Sequence, residues 1–168
     1  MLEIIVMRND LKLKDLYPGF AVRISRMLGF CQDKEWNVEI TAGLRSFHQQ
    51  DDLWQKNRND QGEPIGSVLT NAKGGQSWHN YGLAVDIVFK DQNLNALFDD
   101  LRYAELGVVA DYFHIHWLGE NPKIKGDIYH FDVNFGYTIN ELLAIYNGPE
   151  GGLHGVWKHL DNRGGMKS

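Results

Sequence analysis

Apolar positions along this chain recur at two spacings, and the change from one to the other marks out the elements. After Leu16, Tyr17 and Pro18, the residues Phe20, Val22, Ile24, Met27, Leu28 and Cys31 follow at roughly helical intervals. With a proline suited to a first turn, that spacing predicts a helix over 18–33. WNVEITAG (36–43) is β-branched and ends in glycine, so it predicts a strand. SFHQQDDLWQKN (46–57) predicts a helix with Ser46 as N-cap and Phe47, Leu53 and Trp54 as core candidates. The polar, glycine-containing stretch 58–76 predicts a loop of a length that is often functional. LAVDIVF (83–89) predicts a strand, and 93–111 a helix in two pieces divided near Gly107. YFHIHWL (112–118) and IYHFDVN (128–134) predict strands around a loop at 119–127. TINELLAIYN (138–147) predicts a helix capped by Thr138. The sum is one α+β domain over 1–147, a small, mostly antiparallel sheet with helices packed on it, followed by a glycine-rich, partly mobile tail at 148–168.

The strand at 83–89 poses a question of side-chain chemistry. Alternation puts Leu83, Val85, Ile87 and Phe89 on a core face and Ala84, Asp86 and Val88 on the other. Asp86 therefore stands between apolar neighbours, with small Ala84 leaving space beside it. His79 lies seven positions earlier, which on one continuous strand would be the opposite face. Gly82 offers a way out: a turn at Tyr81–Gly82 brings His79 back over Asp86. In GDIYHFDV, Tyr129, Phe131 and Val133 form an apolar face, while His130 and Asp132 point the other way and Asp127 precedes the strand. If the two strands are neighbours, these groups converge.

Two imidazoles and one carboxylate around a metal leave a fourth position for water, the arrangement of a catalytic rather than a structural zinc site. Zinc lowers the pKa of its water to about 7. A nearby carboxylate can take that proton and pass it to a leaving amine. A fixed guanidinium, for which Arg45 after Gly43 is the candidate, can stabilise an oxyanion. Each of these side chains also has an ordinary structural explanation: a hydrogen-bonded histidine, an aspartate accepting backbone N–H groups, an arginine in a surface salt bridge. His114-Ile-His116 is an internal rival, because a His-x-His on a strand puts both rings on one face. Trp78, Tyr81, Trp117 and Tyr129 flank the motifs, either as packing residues or as the wall of a peptide cleft.

Composition narrows the function. The chain has 168 residues, 43% hydrophobic and 23% charged, with a net charge of −5, which describes a globular protein and argues against a nucleic-acid binder. A single cysteine, Cys31, excludes an intrachain disulfide and any multi-cysteine zinc site. No segment approaches the roughly 20 apolar residues of a membrane span. The short apolar run at the N-terminus, with Glu3 ahead of it, does not read as a signal peptide. The expectation is synthesis in the cytoplasm without membrane insertion. The acidic residues Asp51, Asp52, Asp60 and Glu63 near the long loop lack the spacing of a calcium loop.

Four motifs then carry a resemblance. TNAKGGQSWHNYGLAVDI contains Ser77-x-His79-x-x-Gly82-x-Ala84-x-Asp86, and DIYHF contains Asp127-x-x-His130-Phe131. GLRSFHQQDDLW supplies Arg45 and Gln50 in an Arg-Ser/Thr-x-x-x-Gln pattern, and HWLGEN is similar to a tryptophan-glycine segment before the last histidine. Over roughly 15–135 the chain resembles the zinc peptidases of the VanY/VanX D-alanyl-D-alanine group, most of all the L-alanyl-D-glutamate peptidase branch that includes phage endolysins. The resemblance implies a hedgehog/D-Ala-D-Ala-peptidase-like fold and one Zn2+ held by His79, Asp86 and His130. It further implies Asp127 as general base, Arg45 polarising the substrate carbonyl, and Ser77 and Gln50 on the substrate side. The implied activity is hydrolysis of the L-alanyl-D-glutamate bond of the peptidoglycan stem peptide by a monomeric enzyme that reaches the cell wall at lysis. The alternatives are a D-alanyl-D-alanine carboxypeptidase or dipeptidase, and a non-catalytic zinc-binding wall or virion protein. Aspartate at the base position, where carboxypeptidase members usually carry glutamate, is like the endolysin branch. Glu120 and the segment 121–126 depart from the pattern.

Overall fold

The computed structural model describes residues 2–98, 101–120 and 127–164. In chain order the elements are α1 (Leu2–Leu13), α2 (Pro18–Asp33), β1 (Val38–Ala42), α3 (Phe47–Gln55), β2 (Ala84–Lys90), β3 (Ala96–Leu97), α4 (Arg102–Tyr112), β4 (His116–Trp117), β5 (His130–Asp132), α5 (Ile139–Tyr146) and α6 (Gly152–Gly164), with 3₁₀ turns at Trp78–Tyr81 and Leu118–Glu120. The class is α+β, as expected. Two compact units are formed, one from residues 1–44 with 82–133, the other from 45–81 with 134–168.

The first unit holds the sheet, which is antiparallel throughout and ordered β1-β2-β5-β4, with β3 pairing β2. Its core side is built from Phe20, Ile24 and Met27 of α2, Val85, Ile87 and Phe89 of β2, and Leu106 and Ala110 of α4, all buried. The outer edge of β1 is covered by α1: the Asn9 amide donates to Val38 O at 2.9 Å and accepts from Ile40 N at 2.7 Å. One side chain thus satisfies an edge that would otherwise invite another strand. The N-terminal segment was expected only not to be a signal peptide; the helix α1 there exposes Ile4, Met7 and Leu11 and buries Ile5 and Asn9.

The second unit packs three helices and the Trp78–Tyr81 turn. Phe47 of α3 stacks on Tyr146 of α5 at 4.3 Å between centroids, and both meet the Tyr81 ring edge-on. Ser46 and Thr138 each close a capping box, with Gln49 and Glu141 respectively. That chemistry is local, so both helix starts were legible in advance.

Several expectations are corrected. The region 93–111 is not two helical pieces: it contains the short strand β3 and one helix from Arg102, and Gly107 lies inside that helix. The strands expected at 112–118 and 128–134 shrink to β4 and β5. The segment expected as a mobile tail contains α6, because Leu153, Val156, Trp157 and Leu160 fall on one helical stripe despite the surrounding glycines. Part of the loop expected at 119–127, namely 121–126, lies outside the described residues.

Candidate metal centre

Gly82 makes the turn that the sequence required. It has φ of +69°, a conformation nearly free of strain only for glycine. The 3₁₀ turn Trp78–Tyr81 ends there and β2 begins two residues later. His79 sits in that turn and is 3% exposed. Its carbonyl accepts the Arg45 N–H at 3.0 Å. The next residue, Asn80, ties the turn together. Its Oδ1 accepts from Gly75 N at 2.9 Å and Ser77 N at 3.2 Å, and its Nδ2 donates to Arg45 O at 2.9 Å. No role was assigned to Asn80 from the sequence; the only signal was a short amide adjoining a candidate ligand in a turn.

Asp86 and His130 meet through strand register. They stand directly opposite on β2 and β5, with His130 Nδ1 lying 3.3 Å from Asp86 Oδ1. Asp127 opens a tight turn into β5 that is pinned at three carbonyls. Asp127 O accepts from His130 N at 3.3 Å, and Tyr129 O accepts from Ile87 N at 2.9 Å. Ile128 O accepts from Trp117 Nε1 at 2.7 Å. The Asp-x-x-His spacing is therefore one turn of backbone leading into β5. Burial alone would lower the pKa of His130, but hydrogen bonds to Asp132 and Asp86 and the charge of both carboxylates raise it to about 9. Two carboxylates facing one imidazole are surroundings that suit a cation, a metal ion included.

One ligand atom from each of His79, Asp86 and His130 lies within 4.8 Å of the others, a span suited to a single ion. The set is two imidazoles and one carboxylate with a coordination position left over, which fits zinc in a catalytic site. Among the described residues the acidic side chains of the long loop form no such group. His116 does not join it either; it faces Asp132, 3.3 Å away.

Arg45 is half-buried in the loop before α3, and its Nη1 donates to Gln50 Oε1 at 2.8 Å. Gln50, expected on the substrate side, is 1% exposed, and its Nε2 donates to Ala72 O at 2.8 Å and to Thr70 Oγ1 at 3.4 Å. It thus joins the guanidinium to the long loop. Ser77 is half-buried at the start of the turn that carries His79. Of the flanking aromatics, Tyr81 is buried, Trp117 lies flat between Gly107 and Gly119, and Tyr129 packs on Tyr103 and Phe98. All three are packing residues; Trp78 is half-buried.

Two imidazoles and one carboxylate, two of them on neighbouring strands and one in the turn before β2, are a donor set of the kind that metallohydrolases use. The chain belongs to the family described as "VanY: D-alanyl-D-alanine carboxypeptidase", which it matches over residues 14–137. It is 34% identical over 123 residues to the peptidoglycan L-alanyl-D-glutamate endopeptidase CwlK of Bacillus subtilis, a match covering 66% of this chain and 70% of CwlK. Among solved structures it is similar to the Serratia marcescens L-Ala D-Glu endopeptidase ChiX, at a TM-score of 0.56 and 22% identity, covering 76% of this chain and 87% of ChiX. It is also similar to a zinc-bound mutant of the vancomycin resistance D,D-pentapeptidase VanY, at a TM-score of 0.51 and 15% identity, covering 82% of this chain and 80% of that one. These two likenesses are of fold. No described helix is long and apolar enough to cross a membrane.

Proposed function

We propose that this protein is a zinc-dependent endopeptidase that hydrolyses the L-alanyl-D-glutamate bond of the peptidoglycan stem peptide. The observation that carries the reading is the gathering of ligand atoms from His79, Asp86 and His130 within 4.8 Å, with Asp127 one backbone turn before His130 in the chain. The naming of CwlK and ChiX as L-alanyl-D-glutamate endopeptidases supports the bond chosen.

His79, Asp86 and His130 would hold the zinc. When bound, the metal supplies Lewis acidity and brings the pKa of water to about 7. Asp127 is the general base: its carboxylate takes the proton from the attacking water and returns it to the departing amide nitrogen. Arg45 donates to the oxygen that becomes negative as the carbonyl is attacked. Gln50 fixes that guanidinium by accepting one of its N–H groups, so its service to substrate runs through Arg45. Ser77 contacts the peptide beside His79. The endolysin setting, with a monomer released to the wall at lysis, rests on the resemblance of the motifs alone.

The test is digestion of purified peptidoglycan, with mass spectrometry of the released fragments and identification of the new N-terminus. A freed D-glutamate amino group is the expected product, and Asp127→Ala is expected to lower the rate by about 10²–10⁴-fold while metal analysis still finds one zinc per chain. The family description favours one rival, a D-alanyl-D-alanine carboxypeptidase. Release of free D-alanine with the L-alanyl-D-glutamate bond intact would establish that rival. Zinc retained with no stem-peptide product at all would mean a non-catalytic binding protein.

A further inference from the structure

The sheet face that carries Asp86 and His130 bears two more ionisable groups that the proposed chemistry leaves unused. His130 and Asp132 are two positions apart on β5 and share that face. Ala84 of β2 and His116 of β4 stand opposite Asp132 on its two sides. Asp132 is 6% exposed, and its oxygens are divided between two rings. Oδ2 lies 3.1 Å from His130 Nε2, and Oδ1 lies 3.3 Å from His116 Nδ1. The His116 side chain is 58% exposed, so the row runs from solvent, through a buried carboxylate, to the ring facing Asp86.

Donor and acceptor chemistry orders these contacts. An ionised carboxylate only accepts, so the hydrogen between His130 and Asp132 belongs to Nε2. An imidazole that keeps its hydrogen on Nε2 offers its lone pair from Nδ1, the nitrogen 3.3 Å from Asp86 Oδ1. A ligand histidine whose second N–H rests on a carboxylate has its tautomer and ring angle set, and it binds metal more strongly. A carboxylate with one oxygen already engaged by a second ring has less freedom to swing away from the first.

Building on the reading of His130 as a zinc ligand, we propose that Asp132 is the positioning residue that makes His130 an Nδ1 ligand, and that His116 braces Asp132 from the neighbouring strand. His116, the internal rival for the third ligand position, thereby acquires a different task. It stands one strand further out and acts on the centre through Asp132.

The test uses the full chain and zinc itself. Zinc affinity is measured by competition with a chelator for the parent protein and for the Asp132→Ala, Asp132→Asn, His116→Ala and His130→Ala variants. Asp132→Ala is expected to weaken zinc by about 10–100-fold. Asp132→Asn keeps an acceptor oxygen but loses the charge, and its affinity falls between that of Asp132→Ala and the parent. His116→Ala costs about fivefold, the net worth of one hydrogen bond. In zinc-loaded protein labelled with ¹⁵N-histidine, His130 is metal-bound at Nδ1 and protonated at Nε2. In Asp132→Ala that Nε2 proton exchanges rapidly with water, an effect that a purely structural role would not produce. If His130→Ala binds zinc as the parent does, the underlying reading of the centre fails. The positioning role is overturned, with the centre intact, in either of two cases: His130→Ala loses zinc while the folded Asp132 variants hold it within twofold of the parent, or the metal sits on Nε2. Circular dichroism checks each fold; should Asp132→Ala not fold, the isosteric Asp132→Asn decides.

Discussion

Replacing Asn80 by alanine removes a single amide that serves both the turn holding His79 and the loop holding Arg45. Asn80 is 3% exposed. Its Oδ1 accepts from Gly75 N at 2.9 Å and Ser77 N at 3.2 Å; its Nδ2 donates to Arg45 O at 2.9 Å and Ser46 O at 3.4 Å. Gly75 is buried, so its N–H loses its acceptor where water does not easily replace it, at about 1–3 kcal/mol. The contacts to Ser77 N and Arg45 O are part-buried and contribute about 1 kcal/mol each. The long contact to Ser46 O adds little. The total is about 4 kcal/mol, which for a chain of this size lowers Tm by about 8–16 °C. Asn80→Asp separates the two halves of the amide: it keeps the acceptor for Gly75 and Ser77, loses the donors, and is expected to cost about half as much. Urea unfolding of all three proteins, with peptidoglycan hydrolysis measured well below the transition, is the assay. Because the same amide fixes Arg45, hydrolysis should fall further than the unfolded fraction accounts for. An Asn80→Ala protein within 1 kcal/mol of the parent, or an Asn80→Asp protein as unstable as Asn80→Ala, would refute this account of the turn.

Gly107→Ala would drive a Cβ into Trp117 Cε3 and to 2.6 Å from its Cδ2, so the ring must leave its slot and release Ile128 O. The expected loss is about 1–3 kcal/mol of stability by urea unfolding, together with slower hydrolysis because Ile128 adjoins Asp127; an unchanged midpoint would show that the slot is not tight. Gln50→Ala frees the Arg45 guanidinium and should lower kcat/KM about tenfold or more, as expected for a hydrogen bond to a charged group, with zinc content unchanged; an unaltered kcat/KM would remove Gln50 from the account. Burial pushes the Cys31 thiol from 9.0 up to about 12, and burial followed by the nearby Tyr146 pushes the Tyr81 phenol from 10.0 up to about 12. Both values are raised in the folded chain, so this stability is whole below about pH 9 and drains away as pH rises toward 12. Urea midpoints between pH 8 and 11 should therefore fall, less steeply in Cys31→Ala, and identical slopes would contradict the assignment.

By itself the sequence determined everything that depends on a few neighbouring residues. Pro18 and the apolar spacing after it set α2; Ser46 with Gln49 and Thr138 with Glu141 close their own capping boxes; Gly82 allows the one left-handed step that returns His79 toward Asp86. The four motifs also brought the family and the identities of His79, Asp86, Asp127 and His130 within reach. Elements that owe their form to distant partners were missed or misread. No element was expected where α1 lies along β1 through Asn9, and glycine density hid the stripe Leu153, Val156, Trp157 and Leu160 in α6. The choice between His116 and His130 leaned on one local pattern, Asp127-x-x-His130-Phe131, but what each ring faces lay beyond it. The register of β2, β5 and β4 supplied that, by setting Asp86 opposite His130 and Asp132 opposite His116. The physical reason is the range of the forces concerned. Caps, turns and periodicity act over a few bonds and are written in adjacent letters, whereas strand register and the sharing of one buried carboxylate between two imidazoles exist only once the chain has closed on itself.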